Sequence, residues 1–191
     1  MDTKSTVVAL RRTAMLQDTI RVMQEKLTYK IISKINPTAP VNLRVVDHGL
    51  PPNWLAWVHK VHSLPELNRD PNRQIPHEVE VIDDRHIEIN AVSAIGSRPS
   101  GGLLIYHAPQ DLTKANASWK VYSKVNGPLV FELNTGDLGG LNITSLGVIT
   151  RTTSLAQAAL LTFTDGGHTL DITYPDGRVV RYDEGPLTVH A

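Results

Sequence analysis

His59-Lys60-Val61-His62 sets two imidazoles three residues apart, a spacing that serves metal ligation when both side chains share a helical face. The preceding residues, Ala56-Trp57-Val58-His59, read as a strand, on which positions three apart point to opposite faces. Chelation then fails on geometry, and no metal or other cofactor is expected. His48, just ahead of Gly49, is expected to hydrogen-bond into a turn. His168, Asp171 and Ser154 supply the residue types of a catalytic triad, but no Gly-x-Ser-x-Gly elbow accompanies them. Residues 134–140, NTGDLGG, lack the carboxylates of a calcium loop and the Gly-Lys-Ser/Thr of a phosphate loop, so a wide hairpin loop fits them better. Asp83-Asp84 and Asp183-Glu184 could pose as acid and base, yet both are expected in turns, where solvated acids are ordinary. No residue is assigned a catalytic role.

Aromatic side chains offer a different chemistry, that of contact. Trp54 and Trp57 are also three apart, so on a strand one enters the core while the other faces out. Core packing is one reading of both. The other makes Trp54, Trp57 and Tyr122 the candidate interface residues, since exposed aromatics anchor contacts disproportionately often. Trp57 or Tyr122 could also stack on a sugar ring, which gives an alternative reading as a host-surface or glycan-binding module.

The elements that must position these residues are strands. The chain has 191 residues, 41% hydrophobic and 20% charged, enough apolar mass for one or two globular cores. Its 13 glycines and 12 prolines punctuate it about every 8–12 residues, the rhythm of an all-β sandwich or barrel. Residues 79–89 read as a hairpin around Asp83-Asp84-Arg85. Residues 170–181 read as another around Pro175-Asp176-Gly177, where glycine supplies a positive φ. Residues 103–108, 117–123, 128–133 and 141–150 are further strands, rich in the types that fit a pleated, half-buried surface. His190-Ala191 are expected to lie past the last strand. Residues 154–161, SLAQAALL, suggest a short capped helix. Residues 13–27 are ambiguous: Leu16, Ile20, Met23 and Leu27 form a helical stripe, while Thr-Ile-Arg-Val and Leu-Thr-Tyr-Lys-Ile within 19–31 read as strands.

Lysine plus arginine equals aspartate plus glutamate at 19 each, so the net charge is zero. A protein living by phosphate contacts carries a basic excess, and no nucleic-acid partner is expected. Zero net charge removes self-repulsion and suits a homo-oligomer or a subunit of an assembly. With no cysteine there can be no disulfide, zinc–thiolate site or cysteine nucleophile. No stretch reaches the roughly 18 apolar residues of a membrane helix, and the first residues do not read as a secretory signal, so no membrane partner is expected.

The seams at Asn36-Pro37-Thr38-Ala39-Pro40 and Ser97-Arg98-Pro99-Ser100-Gly101-Gly102 frame a recognisable order of signals. His48-Gly49-Leu50, Leu64-Pro65-Glu66-Leu67-Asn68, the hairpin at 79–89 and Ser100-Gly101-Gly102 resemble the FCCH-like β-barrel module of ubiquitin-activating enzymes, which is found widely in phage structural proteins. Leu64-Pro65 stands where that module commonly has a Gly-Met pair. The flanks resemble the immunoglobulin-like domain of baseplate-upper-protein type. The carriers are Gly101-Gly102-Leu103, Tyr106, Pro109, Asp111-Leu112-Thr113, Gly147-Val148-Ile149, Leu155-Ala156-Gln157-Ala158, Pro175-Asp176-Gly177-Arg178-Val179, Gly185 and Val189. The resemblance implies an immunoglobulin-like sandwich with a small inserted β-barrel: first sandwich strands in 1–37, barrel in 38–103, remainder in 104–191. It also tips residues 13–35 towards strands. The function it implies is a non-enzymatic structural subunit of a tailed-phage virion, in the neck, tail or baseplate. Such a protein assembles in the host cytoplasm with copies of itself and other virion proteins.

Overall fold

The computed structural model describes residues 4–5, 7–136 and 140–191. In chain order, strands β1 (Lys4–Ser5), β2 (Val8–Arg11) and β3 (Gln17–Arg21) come first. Next are β4 (Met23–Ile31), β5 (Lys34–Asn36), β6 (Val41–Arg44) and β7 (Trp54–His59). A 3-10 turn (Pro65–Leu67) precedes β8 (His77–Val81), β9 (His86–Ile89) and β10 (Leu103–Pro109). Then follow β11 (Asn116–Tyr122), β12 (Leu129–Asn134), β13 (Leu141–Ser145) and β14 (Val148–Thr152). The helix α1 (Leu155–Ala159) leads to β15 (Asp165–Thr173) and β16 (Val179–His190). The protein is all-β, and α1 is the one α-helix among the described residues.

Two compact units share the chain: Met1–Val22 with Asp111–Ala191, and Met23–Gln110. One unit is thus inserted in the other, but its limits are wider than the expected 38–103. The proline- and glycine-rich seams are turns within the inserted unit. The actual crossings carry strand sequence: β3 and β4 are separated by Val22 alone, and β10 runs to Pro109. Residues 23–31 belong to the insert because β4 pairs along β10 from Ile31↔Leu103 to Met23↔Pro109.

The discontinuous unit is a sandwich. Its larger sheet runs β1-β16-β15-β11-β12, with β2 also on β16, and its smaller one runs β13-β14-β3. β1 and β2 join β16 in parallel, whereas β15 and β16 form the long antiparallel hairpin expected around Gly177, which takes φ +83°. His190 is no loose end: it pairs with Arg11 inside β16, and its carbonyl accepts from Arg12 N at 3.1 Å. Residues 141–150 form a hairpin, β13–β14, rather than one strand, because Gly147 (φ +67°) turns the chain. Trp119, Leu133, Ile149 and Leu170 sit fully buried between the sheets. Arg151, 4% exposed at its side chain, forms a two-pronged ion pair with Asp18 and lies 4.1 Å from the Trp119 ring, joining the small sheet to the large one. Residues 17–21 are strand, against the helical stripe; β3 pairs with β14 in register, Ile20 opposite Ile149. The short helix occurs where expected, with Ser154 and Gln157 closing a capping box. Residues 137–139 of the expected wide loop lie outside the described residues.

The inserted unit is a closed ring of strands. Its order is β4-β10-β7-β8-β9-β6-β5, and β4 and β5 are consecutive parts of one segment separated by Ile32-Ser33. Ile32 N donates to Gly102 O on the β10 side, and Ser33 N donates to Arg44 O on the β6 side. One bent strand therefore serves as both first and last stave. Trp54, Ala56, Val58, Val79, Ile87, Ile89 and Leu104 are fully buried in this unit. The β8–β9 hairpin turns on Asp83, whose Oδ1 accepts from the backbone N–H of Arg85 and His86.

Candidate functional site

The histidines are used for framing. Leu50 N–H donates to His48 Nδ1 at 3.1 Å, so Nε2 carries the proton and donates to Asp83 O at 2.8 Å. His48 O in turn accepts from the buried Tyr106 hydroxyl, whose pKa burial pushes up to about 12. His59 ends β7, and Lys60 turns away with φ +62°, leaving His62 exposed in a bridge with Ser100. Among the described residues, no three His, Asp or Glu side chains are grouped to hold a metal ion.

The triad residues are scattered by chemistry already in use. His168 is buried against Trp119, which donates to its Nδ1 at 3.4 Å. Asp171, three residues along the same strand, faces the other way and is gripped by Arg181 at 2.9 Å. Ser154 caps α1. Asp83 accepts from His86 and two backbone N–H groups, which hold its carboxyl below the usual range. Asp183-Glu184 do not sit in a turn as expected. They lie within the twelve-residue β16, where Asp183 is buried and Glu184 half-exposed.

The three interface candidates part company. Trp54 is corrected: it is fully buried, and its Nε1 donates to His107 O at 2.9 Å, so it packs the barrel and contacts nothing outside. Trp57 points outward, half-buried, with Nε1 donating to Gln74 O at 2.7 Å and its ring edge-on to His107.

Strand register shows what Trp57 belongs to. Directly paired residues share a sheet face. Trp57, Ile105 and Tyr29 form one row across β7, β10 and β4, and His59, Leu103 and Ile31 form the next. The inward rows carry Val58 and Leu104. Apart from His59 the two outer rows are apolar; Ile105 is covered, at 3% exposed, while the β4 side is open, with Tyr29 58% and Ile31 75% exposed. Among the described residues β4 pairs on one side only along Met23–Ile31. Sequence reading found Trp57 but missed Tyr29 and Ile31. Their alternate spacing was visible, yet it was masked by the competing helical stripe.

Tyr122 lines a cleft of about 570 Å³ in the sandwich unit, of the size that takes a small ligand. Tyr122, Gly167 and Pro186 are in direct register on the face of β11, β15 and β16 turned away from Trp119 and Leu170. The hairpin tip at Val125-Asn126-Gly127 closes one side. It can approach because Gly167 has no side chain; a Cβ there would lie 3.2 Å from Val125 Cα. Beyond Gly167 come Thr169 opposite Glu184 and Asp171 opposite Arg181. The Arg181 guanidinium is 2.9 Å from Asp171 and 3.3 Å from Glu184, contacts that raise its pKa, the Asp171 hydrogen bond most. Sequence reading named Asp171 and Glu184 as candidate acids but did not place them beside Tyr122, because a β-bulge between Leu170 and Asp171 sets their register.

Compared with models of known protein families and with curated proteins, the chain matches none.

Proposed function

We propose that the chain is a non-enzymatic structural subunit of a tailed-phage virion, joined to its neighbours through the outer face of the inserted barrel. The observation that carries this reading is the Trp57–Ile105–Tyr29 and His59–Leu103–Ile31 field. Tyr29 and Ile31, large side chains standing exposed on a strand with a free edge and continued inward by the half-buried Trp57 and Leu103, are a contact surface in search of a partner. A second copy of the chain, meeting this face with its own, is the simplest occupant, since zero net charge leaves no self-repulsion between copies. The sequence resemblance to phage modules, the insertion of a barrel in a sandwich and the zero net charge support the same reading.

The test is twofold. Antibody-labelled virions should carry the protein. A Tyr29→Glu/Ile31→Glu double variant should keep the wild-type melting temperature, because both side chains are exposed, and lose self-association and incorporation. Protein that stays in the soluble lysate, or a double variant that assembles normally, overturns the proposal.

A further inference from the structure

We propose that the Tyr122 cleft of the sandwich unit binds a neutral saccharide, a role separate from the barrel face and independent of it. Three features of the cleft point to that chemistry. Tyr122 stands half-buried at its rim, with no hydrogen bond to its hydroxyl among the described residues, and the cleft of about 570 Å³ that it lines is large enough for a pyranose. Aromatic faces pack on the C–H side of sugar rings much as they pack on other apolar surfaces that carry a polar rim. Next to the ring lies a planar polar rack: Arg181 fixed between Asp171 and Glu184, with Glu184 still half-exposed. Such a rack offers donors and acceptors in fixed directions at little entropic cost, which suits vicinal hydroxyls.

Charge then selects the class. Arg181 carries one positive charge against the two carboxylates that hold it, so the rack has no cation to spare for a phosphate, sulfate or carboxylate group. An acidic ligand would have to break an ion pair and face Glu184. A neutral hexose or N-acetylhexosamine needs neither. Thr169 Oγ1, buried in the cleft wall without a hydrogen-bond partner, adds a polar group that the protein itself leaves unsatisfied.

The experiment is saturation-transfer NMR followed by calorimetry on the full chain. The probes are neutral hexose and N-acetylhexosamine oligosaccharides, beside sialylated and phosphorylated counterparts. The expected result is binding of a neutral member at least tenfold tighter than of its acidic counterpart. Tyr122→Ala and Glu184→Gln should each weaken that binding about tenfold or more with unchanged melting, while Tyr29→Glu on the barrel should leave it intact. Glu184→Gln is included because it preserves shape at an exposed position and does not endanger the fold. Absence of any neutral ligand, preference for the acidic ones, or binding that survives both cleft variants would overturn the proposal. Virion incorporation of the cleft variants is expected to be normal, so failure here leaves the assembly reading untouched.

Discussion

Single residues in this protein are committed by their partners more than by their type. His77 shows it most clearly. It is 2% exposed, and its Nε2 lies 2.9 Å from Leu67 O, while its Nδ1 is buried without a partner. Burial therefore holds its pKa below the ordinary 6.5, outweighing the carbonyl contact that would raise it. The folded state binds this proton less readily than the unfolded one. The stabilisation is complete above the ordinary value and is lost as pH falls from there towards the folded pKa. Between pH 7.5 and 5.5 the wild-type melting temperature should drop, and His77→Gln, which can still donate to Leu67 O, should drop less. Equal slopes would show that His77 is not the titrating group. The depressed Asp83 carboxyl acts at lower pH and does not enter this window. A second asymmetry sits at Arg151. Asp18→Asn should cost about 3 kcal/mol, since it strands a buried guanidinium. Arg151→Met should cost less, because it leaves Asp18, 36% exposed, within reach of water. Denaturant unfolding of the two variants gives the order directly.

Elements were legible in the sequence wherever turn chemistry was local. The hairpins at Asp83 and Gly177 and the Ser154 cap are spelled out within a few residues, and each forms as read. Gly177→Val should lower stability by about 1–2 kcal/mol through backbone strain alone, because a side chain there meets nothing within 4 Å. An unchanged melting temperature would mean that the turn relaxes. Deleting His190-Ala191, by contrast, should be measurably destabilising, as it removes the His190–Arg11 rung of the β2–β16 ladder. Where partners are distant, the sequence was mute. Nothing near Tyr29 announces that Ile105 and Trp57 will stand beside it, and nothing near Tyr122 announces Gly167 and Pro186. A strand's face is chosen by its ladder, and a ladder is a long-range fact. Trp54 and Trp57 illustrate the limit: alternation separated them correctly, but not which one would face out.

At the scale of the whole molecule, the sheets explain why Pro- and Gly-rich seams misled. Turn-forming residues mark the corners of a barrel as readily as the border of a domain. Here the true borders run through Val22 and Gln110, inside strand-like sequence. The sandwich is closed by β2 lying parallel to β16, so residues 8–11 wait for partners at 187–190. That waiting has a consequence for synthesis. The ribosome delivers residues 23–110 as an uninterrupted run, and the barrel can close while β2 still has no strand to lie against. The growing chain should therefore gain protease resistance in two steps. The first would come once residue 110 has cleared the exit tunnel, and the second when β16 emerges. Stalled nascent chains of graded length, digested briefly, would show whether there are two steps or one. In the interval, β2 is an unsatisfied strand beside a finished barrel, and a neighbouring copy's late-arriving β16 could capture it. On a crowded polysome this would favour exchange of terminal strands between newly made chains.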